Sequence, residues 1–360
     1  MTTITKTTRI DIHFRFLVNI KIFLTIAVMA IGALFSIPCS AQVIDPVKFF
    51  ETTDVLQAKL SMDWGKLVRN SAKPEYYPAT FSCQLGDSSI SEQIRVIARG
   101  HIRKEVCFMP PVKLNFHNNS SPKLSSLNSL KMVCTCTENS NGDQLLLKEY
   151  LVYKIYNLIT EKSFRVRLMN LVYEDVSPKK KPYTGHAFLI ESDKAMAKRS
   201  DCIPLKNTRS HSEYTDRDQM TLVAIFQYMI GNTDFGISAN HNIILIQPAK
   251  DSTARPIVVP YDFDYAGIVD AYYAVPNEGL EIENVRQRLY RGYPRTEEEL
   301  KTAIAIFNKQ KEKIYSLING FELLTEKNRK NIIDYLDAFY KTINSSNSIK
   351  SIFMLQARKM

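Results

Sequence analysis

The chain has 360 residues, 45% of them hydrophobic and 23% charged, with a formal net charge of +10. That is ordinary globular composition, enough for a two-lobed domain or two domains behind a short targeting segment, and it excludes low-complexity and fibrous classes. The basic excess favours anionic partners in general, but no basic run is interleaved with aromatics, so no specific nucleic-acid partner is expected.

A basic start (Lys6, Arg9, Arg15, Lys21 against Asp11) precedes an apolar run over residues 23–35 and a small-residue stretch ending at Ala41. This is the layout of an export leader, residues 1–41, cleaved after Ala41. It implies a periplasmic, extracellular or cell-surface protein. The run is short of the roughly 20 residues that span a bilayer, so membrane attachment is expected only where the segment stays uncleaved. Five cysteines follow the leader: Cys83, Cys107, Cys134, Cys136 and Cys202. Cys134 and Cys136 form a C-x-C on an expected strand. With no second Cys/His pair at zinc-finger spacing, buried thiols or one disulfide is the reading there.

Residues 42–78 read as an extension mixing a helical pattern with polar connections. Strands are expected at 80–85, 93–98, 112–116 and 130–135, from alternation and β-branched content. Gly86 turns the first strand into the second, as a hairpin; a glycine turn of this kind covers phosphates in kinases. From Asp143 the period changes to i, i+3, i+4, giving a long helix that carries Glu149 on an otherwise apolar surface. Strands at 164–173 and 187–191 come next. Lys179, Lys180 and Lys181 lie in their link, as a solvated loop. A helix is expected at 216–230 with Thr215 as N-cap, then helices at 297–319, 326–343 and about 349–358.

The most informative stretch is 231–245 (GNTDFGISANHNIIL), answered by 257–264 (IVVPYDFD). In each, an oxygen-rich cluster adjoins a short apolar run that reads as a buried strand. The clusters are Asn232, Asp234 and Asn242, then Asp262 and Asp264. Carboxylates there are costly unless they are paired or bind a cation. Such donors suit a hard ion such as Mg2+, completed by phosphate oxygens. His241 reads as a loop histidine, and Arg286, Arg288 and Arg291 as a solvated basic face. The order of elements is α+β, with a sheet-rich first half (79–191) and a helical second half (192–360).

Phosphoryl transfer from ATP needs a phosphate-binding lysine, a helix glutamate to hold it, an aspartate for the acceptor hydroxyl and metal-binding Asn and Asp groups. The chain offers these in order. Lys113 and Lys131 are both open as the lysine, followed by Glu149, Asp234, Asn242 and Asp262. Glu191 falls where a hinge would offer backbone groups to adenine.

On residues 97–100 (IARG), 112–116 (VKLNF), 130–133 (LKMV), 147–151 (LKEYL), 188–191 (FLIE), 232–234 with 242–245, and 261–264 (YDFD), the chain resembles the spore coat protein H (CotH) family of secreted kinase-like proteins. It is most similar to a divergent, exported branch of Bacteroidetes type. The resemblance covers scattered blocks over roughly 90–320. It implies a bilobal protein-kinase-like fold with a sheet-rich N-lobe and a helical C-lobe. It further implies ATP with Mg2+ or Mn2+, and a protein or other hydroxyl acceptor. Asp234 would be the catalytic aspartate, Asn242 and Asp262 the metal or phosphate ligands, and Asp264 would lie close by. The chain departs from the kinase pattern in having Asp234 and Asn242 eight apart rather than five, no arginine before Asp234, and no GxGxxG. A catalytically inactive scaffold of the same family is an alternative. A D-x-D phosphatase or glycosyltransferase is a third reading, weakened because its motif comes late in the chain and lacks the expected threonine.

Overall fold

The computed structural model describes residues 43–117, 123–177, 180–205 and 208–359. The expected leader and Lys179 of the lysine loop lie outside them. Residues from Val43 onward form one compact unit.

The first half is a closed barrel of seven strands: β1 (Leu56–Met62), β2 (Tyr77–Leu85), β3 (Ser88–Ala98), β4 (Val112–Asn115), β5 (Ser129–Cys134), β6 (Val166–Asp175) and β7 (Tyr183–Ile190). Their order around the barrel is β1-β2-β3-β4-β5-β7-β6. All neighbours run antiparallel except β1 and β6, which close the ring in parallel with Leu56 opposite Met169. Side chains alternate across each strand, so Leu60, Phe81, Val96, Leu114, Met132 and Leu189 meet in one apolar interior.

Three short helices accompany the barrel: α1 (Pro46–Glu51), α2 (Trp64–Arg69) and α3 (Arg103–Val106). The rest of the chain supplies α4 (Ser140–Ile159), α5 (Asp193–Arg199), α6 (Arg217–Ile230), α7 (Glu297–Asn319), α8 (Glu326–Ile343) and α9 (Ser346–Ile349). It also supplies a second sheet of β8 (Cys202–Leu205), β9 (Ile243–Pro248) and β10 (Ile257–Pro260), in the order β10-β9-β8. α6 is buried along nearly its whole length. It forms the centre of a second core with α4, α7, α8 and the strands β9 and β10.

The expected bilobal kinase-like architecture is therefore not met. The first sheet closes into a mixed barrel, because β1 bridges β2 and β6 and leaves no open edge, and the second half carries a sheet of its own. β1 comes from the segment expected as an extension. Local details differ too. Asp216, not Thr215, caps α6, accepting from Gln219 N at 2.8 Å. The terminal segment is helical from Ser346 and continues as a wider turn over Lys350–Leu355. Of the cysteines, Cys107 and Cys136 form a disulfide. Cys83, Cys134 and Cys202 are buried thiols, and burial pushes the first two up to about 12.

Candidate functional site

α6 ends at Gly231, whose φ of +67° supplies the left-handed turn that closes the helix. A Cβ here would run into the Tyr335 hydroxyl, so only glycine fits. Asn232 Oδ1 then accepts from Asp234 N at 2.9 Å, and its Nδ2 donates to Gln227 Oε1 at 3.1 Å. Arg291 donates to Thr233 O and Phe235 O, while Arg288 donates to Met229 O and Tyr335 O and lies 3.7 Å over the Tyr335 ring. These two arginines, expected as a solvated face, are half-buried clamps on the helix end and on the loop carrying Asp234. Arg286 pairs with Asp270 at 3.1 Å on the surface.

The Asp234 carboxylate is held from two sides. His241 Nε2 lies 2.7 Å from Oδ1, and Asn242 Nδ2 donates to Oδ2 at 2.9 Å and to the Asp234 carbonyl at 2.8 Å. His241 is thus a partner of the carboxylate rather than a bystander. Asn242 spends its amide hydrogens on Asp234, which turns its Oδ1 the other way.

Asn242 stands immediately before β9, and Tyr261 immediately after β10. Tyr261 N donates to Asn242 O at 3.0 Å, which sets Asp262 beside Asn242 at one end of the hairpin. Both are left-handed, with φ of +53° and +63°. Outside glycine, Asn and Asp are the residues that adopt such φ values most readily. Asp262 N donates to Tyr153 Oη of α4 at 2.9 Å, and its Oδ2 lies 3.6 Å from Arg99. Asp264 is buried and accepts from Tyr273 Oη at 3.1 Å. Burial, reinforced by the charge of Asp262 and opposed by Arg103, pushes its carboxyl up to about 6.

Glu149 faces the same cluster. Its Oε2 takes Arg103 at 2.9 Å, not Lys113 or Lys131, and its buried Oε1 has no hydrogen-bond partner among the described residues. Burial comes first in pushing its carboxyl up to about 8; Arg103 opposes this, and Asp264 and Asp262 add to it. Both lysines line a cavity of about 580 Å3 between the barrel and the second sheet. They are cross-strand neighbours on β4 and β5, so they share one face. Lys131 lies 3.6 Å from Asp193 and 3.9 Å over the Tyr261 ring. Burial lowers its pKa, and Arg99 adds to this against Asp193 and Asp262. Glu191 lines the cavity as well, but its carboxylate is consumed internally, at 2.9 Å from Arg199 Nη2 and 3.1 Å from Arg165 N. Ile243, Leu245 and Tyr261 line it too; Asn242 and Asp262 are their chain neighbours and stand just outside the lining.

The turn at Gly86 is remote from all this. It precedes β3, whose far end leads to Arg99, and an 11-residue strand spans roughly 35 Å. Among the described residues no group of three His, Cys, Asp or Glu is placed to hold a metal ion by itself. The donor chemistry still fits Mg2+ or Mn2+. Two neighbouring carboxylates, Asp262 and Asp264, the first of which raises the proton affinity of the second, with an outward amide oxygen beside them, match a hard-ion site completed by phosphate oxygens. Neither the protein-family models nor the curated proteins contain a match to the chain.

Proposed function

We propose that this protein is an exported phosphotransferase that passes the γ-phosphate of ATP to a hydroxyl on a protein or another acceptor. The observation that carries the reading is the meeting of two features. A cavity lined by Lys113 and Lys131 lies against a hairpin end where Asp234, Asn242, Asp262 and Asp264 converge. The cavity volume of about 580 Å3 falls within the range that takes a nucleotide-sized ligand. Phosphoryl transfer asks little covalent chemistry of a protein, and mostly positioning and charge stabilisation. The resemblance to the CotH family names the same reaction class.

In this reading the adenine end of the nucleotide lies toward Glu191 and Ser192, which line the cavity. Lys113 and Lys131 face the phosphates. Asp262, Asp264 and Asn242 would hold Mg2+ or Mn2+, which would offset phosphate charge. Asp234 orients the acceptor hydroxyl and takes its proton as the bond from acceptor oxygen to phosphorus forms and the bond to the ADP oxygen breaks. His241 and Asn242 hold the two carboxylate oxygens of Asp234 in place, so the base is positioned before the acceptor arrives.

The test is transfer from γ-labelled ATP, with Mg2+ or Mn2+, to the protein itself and to an added general protein acceptor. Metal-dependent labelling that Asp234→Asn removes supports the reading. Nucleotide binding without any transfer reduces it to a nucleotide-binding scaffold. Release of phosphate from a phosphomonoester, lost in Asp262→Asn, replaces it with a phosphatase.

A further inference from the structure

The cation best placed for an anion is neither of the two lysines. Between β3 and β4 the chain crosses the end of the barrel through residues 99–111, and this crossing is firmly tied down. Arg99 N donates to Pro111 O at 2.8 Å. The Cys107–Cys136 disulfide joins the crossing to the segment after β5, and Phe108 N donates to Cys136 O at 2.8 Å beside it. Tyr272 Oη, from the strap that follows Asp264, donates to Val106 O at 3.4 Å.

The crossing delivers two arginines to the acidic end of the site, in different states. Arg103 is buried and paired, with Glu149 at 2.9 Å and Cys134 O at 3.0 Å, though its Nε has no hydrogen-bond partner among the described residues. Arg99 is held more loosely. Its guanidinium makes no hydrogen bond among the described residues, and its one ion pair, to Asp262, is 3.6 Å long, outside hydrogen-bond reach. Its side chain is 19% exposed. The charge of Arg99 is also felt at Lys131, whose own counter-ion Asp193 stands 3.6 Å away. Arg99 stands outside the cavity lining that Lys131 forms, but both cations have a carboxylate no nearer than 3.6 Å, so each is free to take up an oxygen anion that enters between them.

We infer that Arg99 is the phosphate-gripping residue of this site, taking the terminal phosphate oxygens of a nucleoside triphosphate on its guanidinium fork. A planar guanidinium meets two phosphate oxygens at once, which the ammonium of Lys131 does not. Entry of the phosphate replaces the long Asp262 contact with a charge-assisted one and leaves Asp262 free to face a cation. The inference rests on the nucleotide reading above, and the probes separate the two.

The experiment is calorimetric titration of the wild-type protein, Arg99→Met, Arg99→Lys and Lys131→Met with Mg·ATP, inorganic tripolyphosphate and adenosine, at fixed ionic strength. In Arg99→Met, affinity for Mg·ATP and for tripolyphosphate falls at least tenfold while adenosine binding is unchanged. Arg99→Lys recovers only part of the loss. The inference is overturned where Arg99→Met binds both phosphate ligands within twofold of wild type, whatever Lys131→Met does. Wild type that binds tripolyphosphate through Arg99 but gains nothing from the nucleoside keeps the inference and defeats the nucleotide reading. Wild type that binds neither phosphate ligand defeats both. Unchanged thermal unfolding of Arg99→Met shows that the loss is one of binding and not of fold.

Discussion

Asp264→Asn isolates the electrostatic cost built into the acidic cluster. The Asp264 carboxyl is raised from its ordinary 3.8 to about 6, chiefly by burial and then by Asp262. Below pH 4 the group is protonated whether the chain is folded or not. Between about 4 and 6 only the folded state keeps the proton, so unfolding releases it and stability falls as pH rises. Above 6 the whole cost remains. A shift of about two units corresponds to about 3 kcal/mol. Asparagine keeps an oxygen for the Tyr273 hydroxyl and removes the charge. At pH 8 without divalent metal, Asp264→Asn is therefore more stable than wild type by about 1–3 kcal/mol. For a chain of this size that is a rise of a few degrees in melting temperature. Its stability no longer declines between pH 4 and 6, while the decline owed to Glu149 persists toward pH 8. Thermal unfolding followed by circular dichroism in metal-free buffers across pH 4–8.5 measures this. Added Mg2+ stabilises wild type more than the variant. A variant less stable than wild type at pH 8, with an unchanged pH profile, refutes the assignment of Asp264 as a buried, charge-strained acid.

Other substitutions test the frame around the site. Glu149→Ala leaves Arg103 buried and unpaired and costs about 3–5 kcal/mol in denaturant unfolding, whereas Glu149→Gln with Arg103→Met costs less than that single change. Opening the Cys107–Cys136 disulfide with paired serines frees a closure of 29 residues and removes about 3–4 kcal/mol, read as a lower urea midpoint. Gly231→Ala forces a side chain into a left-handed position against the Tyr335 hydroxyl; it lowers stability by at least about 1 kcal/mol and reduces transfer through displacement of Asp234. Arg291→Ala removes the donors to Thr233 O and Phe235 O and lowers transfer more than it lowers nucleotide affinity, measured as a split between kcat and nucleotide KM.

The long helices were legible because an apolar period of 3.6 over 14 or more residues has few other interpretations, as in α6, α7 and α8. Barrel closure was not. It depends on β1 pairing with β6, Leu56 opposite Met169, and no local pattern announces a parallel contact between strands so distant. The strand itself left a trace in the alternation of Leu56, Ala58, Leu60 and Met62, which face the barrel interior.

Within the site, the acidic residues stood out because buried carboxylates beside β-branched runs need a reason. Their meeting follows from a hairpin that brings Asn242 next to Tyr261. The cations were harder to assign. Arg99 and Arg103 reach Asp262 and Glu149 only through the crossing between β3 and β4, so their charge was visible in the sequence and their partners were not. Arg288 and Arg291 show the same gap. A cluster of arginines reads as a surface, and only the path of the chain turns it into caps for the backbone carbonyls of α6 and the Asp234 loop.

In the proposed reaction the cleft between the barrel and the second sheet binds a nucleotide, with its phosphates toward Asp262. This binding is tested most directly by titrating the protein with ATP in the presence and absence of Mg2+ or Mn2+, alongside Asp262→Ala. Wild type shows saturable binding that tightens with the metal, and Asp262→Ala loses that metal dependence. Absence of binding by wild type, or binding whose metal dependence survives in Asp262→Ala, contradicts the proposed reaction.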